Sequence, residues 1–245
     1  QTLYGMADLF IVGQFDGVAS TTAVSIGSQV MHMLTVMIVG LAMGATVSIG
    51  QSIGAGDKKR ASVFVGNTVI LFMGISLVLS VLLLFFVKPA VAVMSTPAEA
   101  VSGTAAYLTI CFLGIPFITA YNVISSIFRG LGDSKSPMYF IAVACAVNII
   151  LDYLFIGFFH LGASGAALGT TLSQACSVLF ALIAIKRKQT GLSLSGDCFR
   201  PQKKPLGKIL NIGIPVALQD GFIQIAFITV SYTHLRAHET VLDLV

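Results

Sequence analysis

Apolar residues dominate this chain in long runs, broken by short polar stretches rich in glycine. Crossing the hydrocarbon of a bilayer as a helix takes ~20 apolar residues. The chain offers runs of that size near residues 24 to 50, 61 to 87, 102 to 128, 137 to 158, 163 to 185 and 207 to 229. A shorter run before Gly13 reads as the tail of one more span. With Gln1 at the start and no Met, the beginning of that span is expected to be missing and the chain to be a fragment. Asp8 interrupts this first run and no basic segment precedes it, which argues against a secretory signal peptide.

Inside the runs, polar and small residues fall on faces. Ser25, Ser28, Gln29, His32 and Thr35 recur at helical spacing in the second span, and Gly40, Gly44 and Ser48 continue the stripe. In the fourth, Asn122, Ser125 and Arg129 share a face below Gly114 and Pro116. In the sixth, Ala166, Thr170, Ser173 and Ser177 form a small polar face with Gly169 and Gln174 beside it. Such stripes allow close helix packing or line a cavity, and packing accounts for most single Ser or Gly residues. Gln29, His32, Thr171 and Gln174 are the cavity-lining candidates. As a lone histidine, His32 reads more readily as a packing residue than as a ligand.

Composition agrees with this pattern: 56% of residues are hydrophobic and 10% charged, against roughly 25% charged in a soluble domain. The fold class expected is an all-α integral membrane protein. Charge then orients it. Lys58, Lys59 and Arg60 follow the second span, Arg129 and Lys135 the fourth, and Lys186, Arg187, Lys188, Arg200, Lys203, Lys204 and Lys208 the sixth. The intervening loops, Asp16 to Thr22, Lys88 to Ala100 and Phe159 to Ser164, hold Lys88 alone. By the positive-inside rule the basic loops face the cytoplasm of a cell membrane, and the net charge of +4 reports topology, not affinity for nucleic acid.

The end of the chain is read differently. Val230 to Thr240, Val-Ser-Tyr-Thr-His-Leu-Arg-Ala-His-Glu-Thr, resembles the translation of a transposase-type sequencing adapter. Residues 230 to 245 are therefore read as adapter read-through. On that reading His234, Arg236, His238 and Glu239 carry no chemistry.

Carboxylates within the spans are the candidate chemistry. Asp152 lies one helical turn from Asn148 in an otherwise apolar run, and Asp8 lies in Tyr4-Gly-Met-Ala-Asp-Leu-Phe-Ile-Val-Gly. A carboxylate at membrane depth costs at least ~2.5–3.5 kcal/mol on insertion scales, which points to an ion or substrate pathway. Two such groups facing a common cavity would repel, so the pair would hold a proton or small cation near neutral pH.

These elements, in order, resemble the multidrug and toxic compound extrusion (MATE) family, bacterial branch. It belongs to a superfamily that also contains lipid-linked oligosaccharide flippases. The resemblance rests on Met6-Ala-Asp-Leu-Phe-Ile-Val-Gly, Gly50-Gln-Ser-Ile-Gly-Ala-Gly-Asp, Phe128-Arg-Gly-Leu-Gly-Asp-Ser-Lys-Ser-Pro, the Asn148/Asp152 pair, Gly165-Ala-Ala-Leu-Gly-Thr-Thr-Leu-Ser-Gln and Gly213-Ile-Pro. It covers nearly all of residues 1 to 229. What it implies is two six-helix bundles, of which this chain supplies the N-terminal one at 1–187. An inter-bundle loop at 188–206 and a truncated seventh span at 207–229 follow. It also implies a cation site at Asp8, Asn148, Asp152 and Thr170, with Thr171 the adjacent alternative. Antiport of organic, often cationic drugs or metabolites against H⁺ or Na⁺ by alternating access would follow. The partners implied are the lipid bilayer, a small organic substrate and the missing C-terminal bundle, with no cofactor.

Two other readings are weaker. A lipid-linked oligosaccharide flippase would call for a more basic central cavity, and the one arginine near a span, Arg129, sits at its end. An intramembrane enzyme would need a dyad or metal set at matched depth, and none is visible. Cys111, Cys145, Cys176 and Cys198 have no metal-ligand spacing, and no disulfide is expected. Gly54-Ala-Gly-Asp and Arg129-Gly-Leu-Gly-Asp read as tight turns, not nucleotide loops, because no strand precedes them.

Overall fold

The computed structural model describes residues 2–94, 96–187 and 196–242, with side chains at 5–94, 96–185, 187 and 196–226. The described part is helical throughout: α1 (Thr2–Phe15), α2 (Val18–Gly54), α3 (Lys58–Phe85), α4 (Val87–Val93), α5 (Val101–Gly130), α6 (Lys135–Asp152), α7 (Gly162–Arg187) and α8 (Lys203–Leu242). A π-helical turn, Tyr153–Phe158, extends α6, and a 3₁₀ turn, Gly196–Phe199, precedes α8. Six of these segments are long and apolar enough to cross a bilayer, and Gly5–Phe15 is a shorter apolar helix. The all-α membrane fold expected from the sequence is the one observed.

Two corrections concern the ends of the third span. It stops at Phe85 rather than continuing to residue 87, and the stretch read as a loop from Lys88 contains α4. Pro89 explains the break, since it can donate no hydrogen bond to the Phe85 carbonyl and its ring would clash there, yet it is tolerated in the first turn of a new helix. Of the inter-bundle loop, residues 188–195 lie outside the described residues. So do residues 243–245 and the side chains of His234, Arg236, His238 and Glu239.

The turns on the basic side use one device twice. After α2, Gly56 takes φ +74°, and the N–H of Asp57 donates to the Ser52 carbonyl at 3.0 Å. After α5, Gly132 takes φ +84°, and the N–H of Asp133 donates to the Phe128 carbonyl at 2.9 Å. Glycine meets no Cβ penalty in this left-handed conformation, so it closes a helix end. The following aspartate opens the next helix: Asp57 Oδ1 accepts from Arg60 N at 2.9 Å, and Asp133 Oδ1 from Ser136 N at 3.1 Å. Both motifs are thus structural turns.

Helix α5 is the hub. Tyr107, Leu108, Phe112 and Ile115 pack against Ile11 and Val12 of α1, Val24 of α2 and Ala166 and Ala167 of α7. Further along, Val123 and Ile127 meet Ile49, Phe64 and Phe72, while Tyr121 and Phe128 meet Phe140 and Ala181. The outer face of α3 exposes Leu77, Val78, Val81, Leu82 and Phe85, as expected where lipid is the solvent. Many interior hydroxyls are satisfied within their own helix, among them Thr35 on the Met31 carbonyl at 2.7 Å and Thr68 on the Phe64 carbonyl at 2.7 Å. Hydroxyls of this kind support the packing explanation of the polar stripes.

Helix α8 lies antiparallel along α2, because Ile209 and Gly213 meet Gly44, Ala217 meets Gly40, and Gly221 meets Met37. A Cβ on Gly44 would overlap the Ile209 carbonyl oxygen, and one on Gly213 the Leu41 carbonyl oxygen. The two backbones touch because both positions are glycine.

Candidate functional site

Four residues from three helices meet in the interior. Asp8 is 2% exposed, and Asn148 and Asp152, one turn apart at the end of α6, are both 0% exposed. Thr170 of α7 donates its hydroxyl to Asp8 Oδ2 at 3.0 Å. Asn148 and Asp152 stand within interaction range of the same carboxyl. Neither makes a well-formed hydrogen bond to it: Asp8 Oδ1, both Asp152 oxygens and both Asn148 amide atoms are buried without a partner. Buried polar atoms in folded proteins are almost always paired. Five such atoms in one place make a donor and acceptor set suited to a small positive guest, either a proton shared by the carboxyls or a cation held by oxygens. Among the described residues no group of His, Cys, Asp and Glu has the arrangement of a metal centre.

The surrounding helices make room for the carboxyls. A Cβ at Gly169 would fall on Asp152 Oδ1 and lie 3.3 Å from its Cγ, so glycine on α7 is what lets the Asp152 side chain occupy that position. Immediately after Asp152 the helix widens into the π turn, closed by Phe159 N–H on the Leu154 carbonyl at 3.1 Å. Such widened turns recur at functional sites.

The geometry distinguishes the two threonines. Thr170 faces Asp8, whereas Thr171 faces α5: a Cβ on Gly114 would lie 2.7 Å from Thr171 Oγ1, which has no hydrogen-bond partner. The four cavity-lining candidates separate into pairs. Thr171 and Gln174 present buried, unpartnered oxygens inside the bundle, while Gln29 and His32 are exposed on α2.

Three features escaped the sequence reading. Tyr107 and Cys111, one turn apart on α5, are fully enclosed and close enough to Asp8 to interact with it electrostatically. Their i, i+4 spacing was a weak signal among many apolar neighbours. The third is Asp220, a carboxylate inside the seventh apolar run. A Cβ on Gly40 would lie 2.9 Å from its Oδ2, which places it on the α2/α8 seam, away from the Asp8 cluster. A carboxylate in a mainly apolar span was a signal available in the sequence.

The fold and the site define a multi-pass helical membrane protein with two carboxyl groups enclosed in its bundle. The chain belongs to the MatE family, whose model matches residues 1–154. It is 32% identical over 220 residues to the probable multidrug resistance protein YpnP of Bacillus subtilis, covering 89% of this chain and 49% of that protein. It is 28% identical over 216 residues to the multidrug export protein MepA of Staphylococcus haemolyticus, covering 88% of this chain and 48% of that one. Among solved structures, the inward-facing form of a multidrug resistance MATE family transporter of the MOP superfamily superposes with a TM-score of 0.85 at 29% identity. That match covers 92% of this chain and 51% of the solved one. The chain therefore spans about half the length of the relatives it matches.

Proposed function

We propose that the chain forms part of a secondary active transporter that extrudes organic, often cationic compounds from the cell in exchange for H⁺ or Na⁺. The observation that carries this reading is the enclosure of Asp8 and Asp152 together, with five polar atoms of the cluster left without partners. Two carboxylates so placed repel when both are charged, and a bound proton or cation relieves the repulsion. Occupancy of Asp8, Asn148, Asp152 and Thr170 would then decide which packing of the bundle is stable, which is the requirement for alternating access. No resident cofactor is needed. The bundle at 1–187 would work with a second bundle beginning at the span 207–229, as the length of the relatives allows, in a cell membrane with the basic loops cytoplasmic.

The test is Asp152→Asn in a full-length relative, assayed for efflux of a fluorescent organic cation from everted vesicles across a range of pH and Na⁺ concentrations. The expected result is loss of coupled efflux with the protein still present in the membrane. Efflux that kept its rate and its ion dependence would remove the basis of the proposal.

A further inference from the structure

On the basic side of the molecule, the α2–α3 turn, the start of α3 and the start of α8 line an open cavity of about 440 Å³. Its walls carry Lys59, Arg60, Lys204 and Lys208, with Phe64 and Gln202 between them. Two of the cations are held in place by the ring of Phe64: Arg60 Cζ lies 5.8 Å from the ring centroid and Lys208 Nζ 5.7 Å. Lys208 also donates to Gln51 Oε1 at 2.7 Å. Lys59 and Lys204 have no acidic partner among the described residues. The one carboxylate in the wall, Asp57, is engaged as the cap of α3.

The far wall is preformed. Asn67, fully buried on α3, accepts the backbone N–H of Gln202 at 2.7 Å, and its amide nitrogen reaches the Cys198 carbonyl at 3.5 Å. Gly66 lets the 3₁₀ turn lie directly on α3, since a Cβ there would overlap the Cys198 carbonyl oxygen. Both α3 and α8 begin at the cavity, and both are candidate spans from their first residues, Lys58 and Lys203. The cavity therefore sits at headgroup depth.

We propose that this cavity binds the phosphate of an acidic phospholipid headgroup, seating it between α3 and α8. A site of this volume with four cations, two of them oriented by the Phe64 ring, matches a phosphodiester anion. The proposal is independent of what the chain transports and of its coupling ion.

The test is native mass spectrometry of the purified full chain in detergent, titrated separately with phosphatidylglycerol and phosphatidylcholine. The wild type should retain phosphatidylglycerol preferentially. The Lys59→Gln/Lys204→Gln variant should retain roughly 25-fold less, at about fivefold per cation removed. Lys135→Gln, on the other basic turn, should behave as wild type. Both substituted cavity lysines are exposed, and unchanged melting by circular dichroism shows that the fold persists. Retention lost in the cavity variant and untouched by millimolar inorganic phosphate supports the lipid. Displacement by inorganic phosphate overturns the lipid as ligand and leaves a site for soluble phosphates. Equal retention by wild type, cavity variant and Lys135→Gln overturns the site altogether.

Discussion

Substituting Gly44 by valine tests how closely the α2/α8 seam is built. A Cβ at this position would overlap the Ile209 carbonyl oxygen and lie 2.9 Å from Gly213 N and 3.0 Å from the Ile209 carbonyl carbon. All three are backbone atoms, so no rotamer change relieves the contact. Favourable carbon contacts begin near ~3.5 Å, so α2 and α8 would have to part by roughly 1 Å. Overpacking of this kind costs about 1–3 kcal/mol, which is roughly a 5- to 150-fold change in the equilibrium that keeps the seam closed. The seam can be read with Met37→Cys/Gly221→Cys, because a Cβ on Gly221 makes ordinary contact, 3.7 Å, with Met37 Cγ and Sδ. Single-cysteine versions control for the native thiols Cys111, Cys145, Cys176 and Cys198. Adding Gly44→Val should slow disulfide formation at least about fivefold and lower the melting temperature. Gly74→Ala, on α3 with nothing within 4 Å of its Cβ, should leave cross-linking unchanged and raise stability by up to ~1 kcal/mol. Equal cross-linking rates and equal melting for Gly44→Val and the parent would refute the backbone contact.

Other substitutions separate neighbouring roles. Thr171→Val should leave the melting temperature unchanged or raise it, because it replaces a buried hydroxyl oxygen that has no partner by a methyl group. Thr170→Val removes the 3.0 Å hydrogen bond to Asp8 and should weaken cation binding, measured by calorimetry in a full-length relative, by roughly fivefold for ~1 kcal/mol. Gly169→Val should abolish binding in the same assay, since its Cβ takes the place of Asp152 Oδ1. Asn67→Ala should cost about 0.5–1.5 kcal/mol by removing the hydrogen bond to the Gln202 N–H, and limited proteolysis should then cut faster at residues 196–202.

The spans were legible because lipid as solvent writes itself into every residue of a run, so length and apolarity suffice. The third span ended early for a reason also present in the sequence, the ring of Pro89. The enclosure of Asp8 and Asp152 was legible from carboxylates set in apolar runs, while Thr170 was named from the resemblance. Which threonine faces Asp8 was not legible, because ~100° of helix rotation separates the two and only the packing of α7 against α1 and α5 sets it. Tyr107 and Cys111 were hidden for the same cause: nothing along α5 says which of its faces meets α1. The anchoring of the 3₁₀ turn by Asn67 joins residues far apart in the chain, and an asparagine in an apolar run gives no hint of its partner.

The repeated glycine-aspartate elbow has a mechanical consequence. Each elbow ties the last turn of one long helix to the first turn of the next with the same four hydrogen bonds, which hold α2 to α3, and α5 to α6, at the basic end. At the opposite ends, α1 and α2 are joined by a single exposed aspartate–glycine step, Asp16-Gly17. At their basic ends the spans are thus fixed to one another by main-chain bonds, whatever side chains fill the space between them.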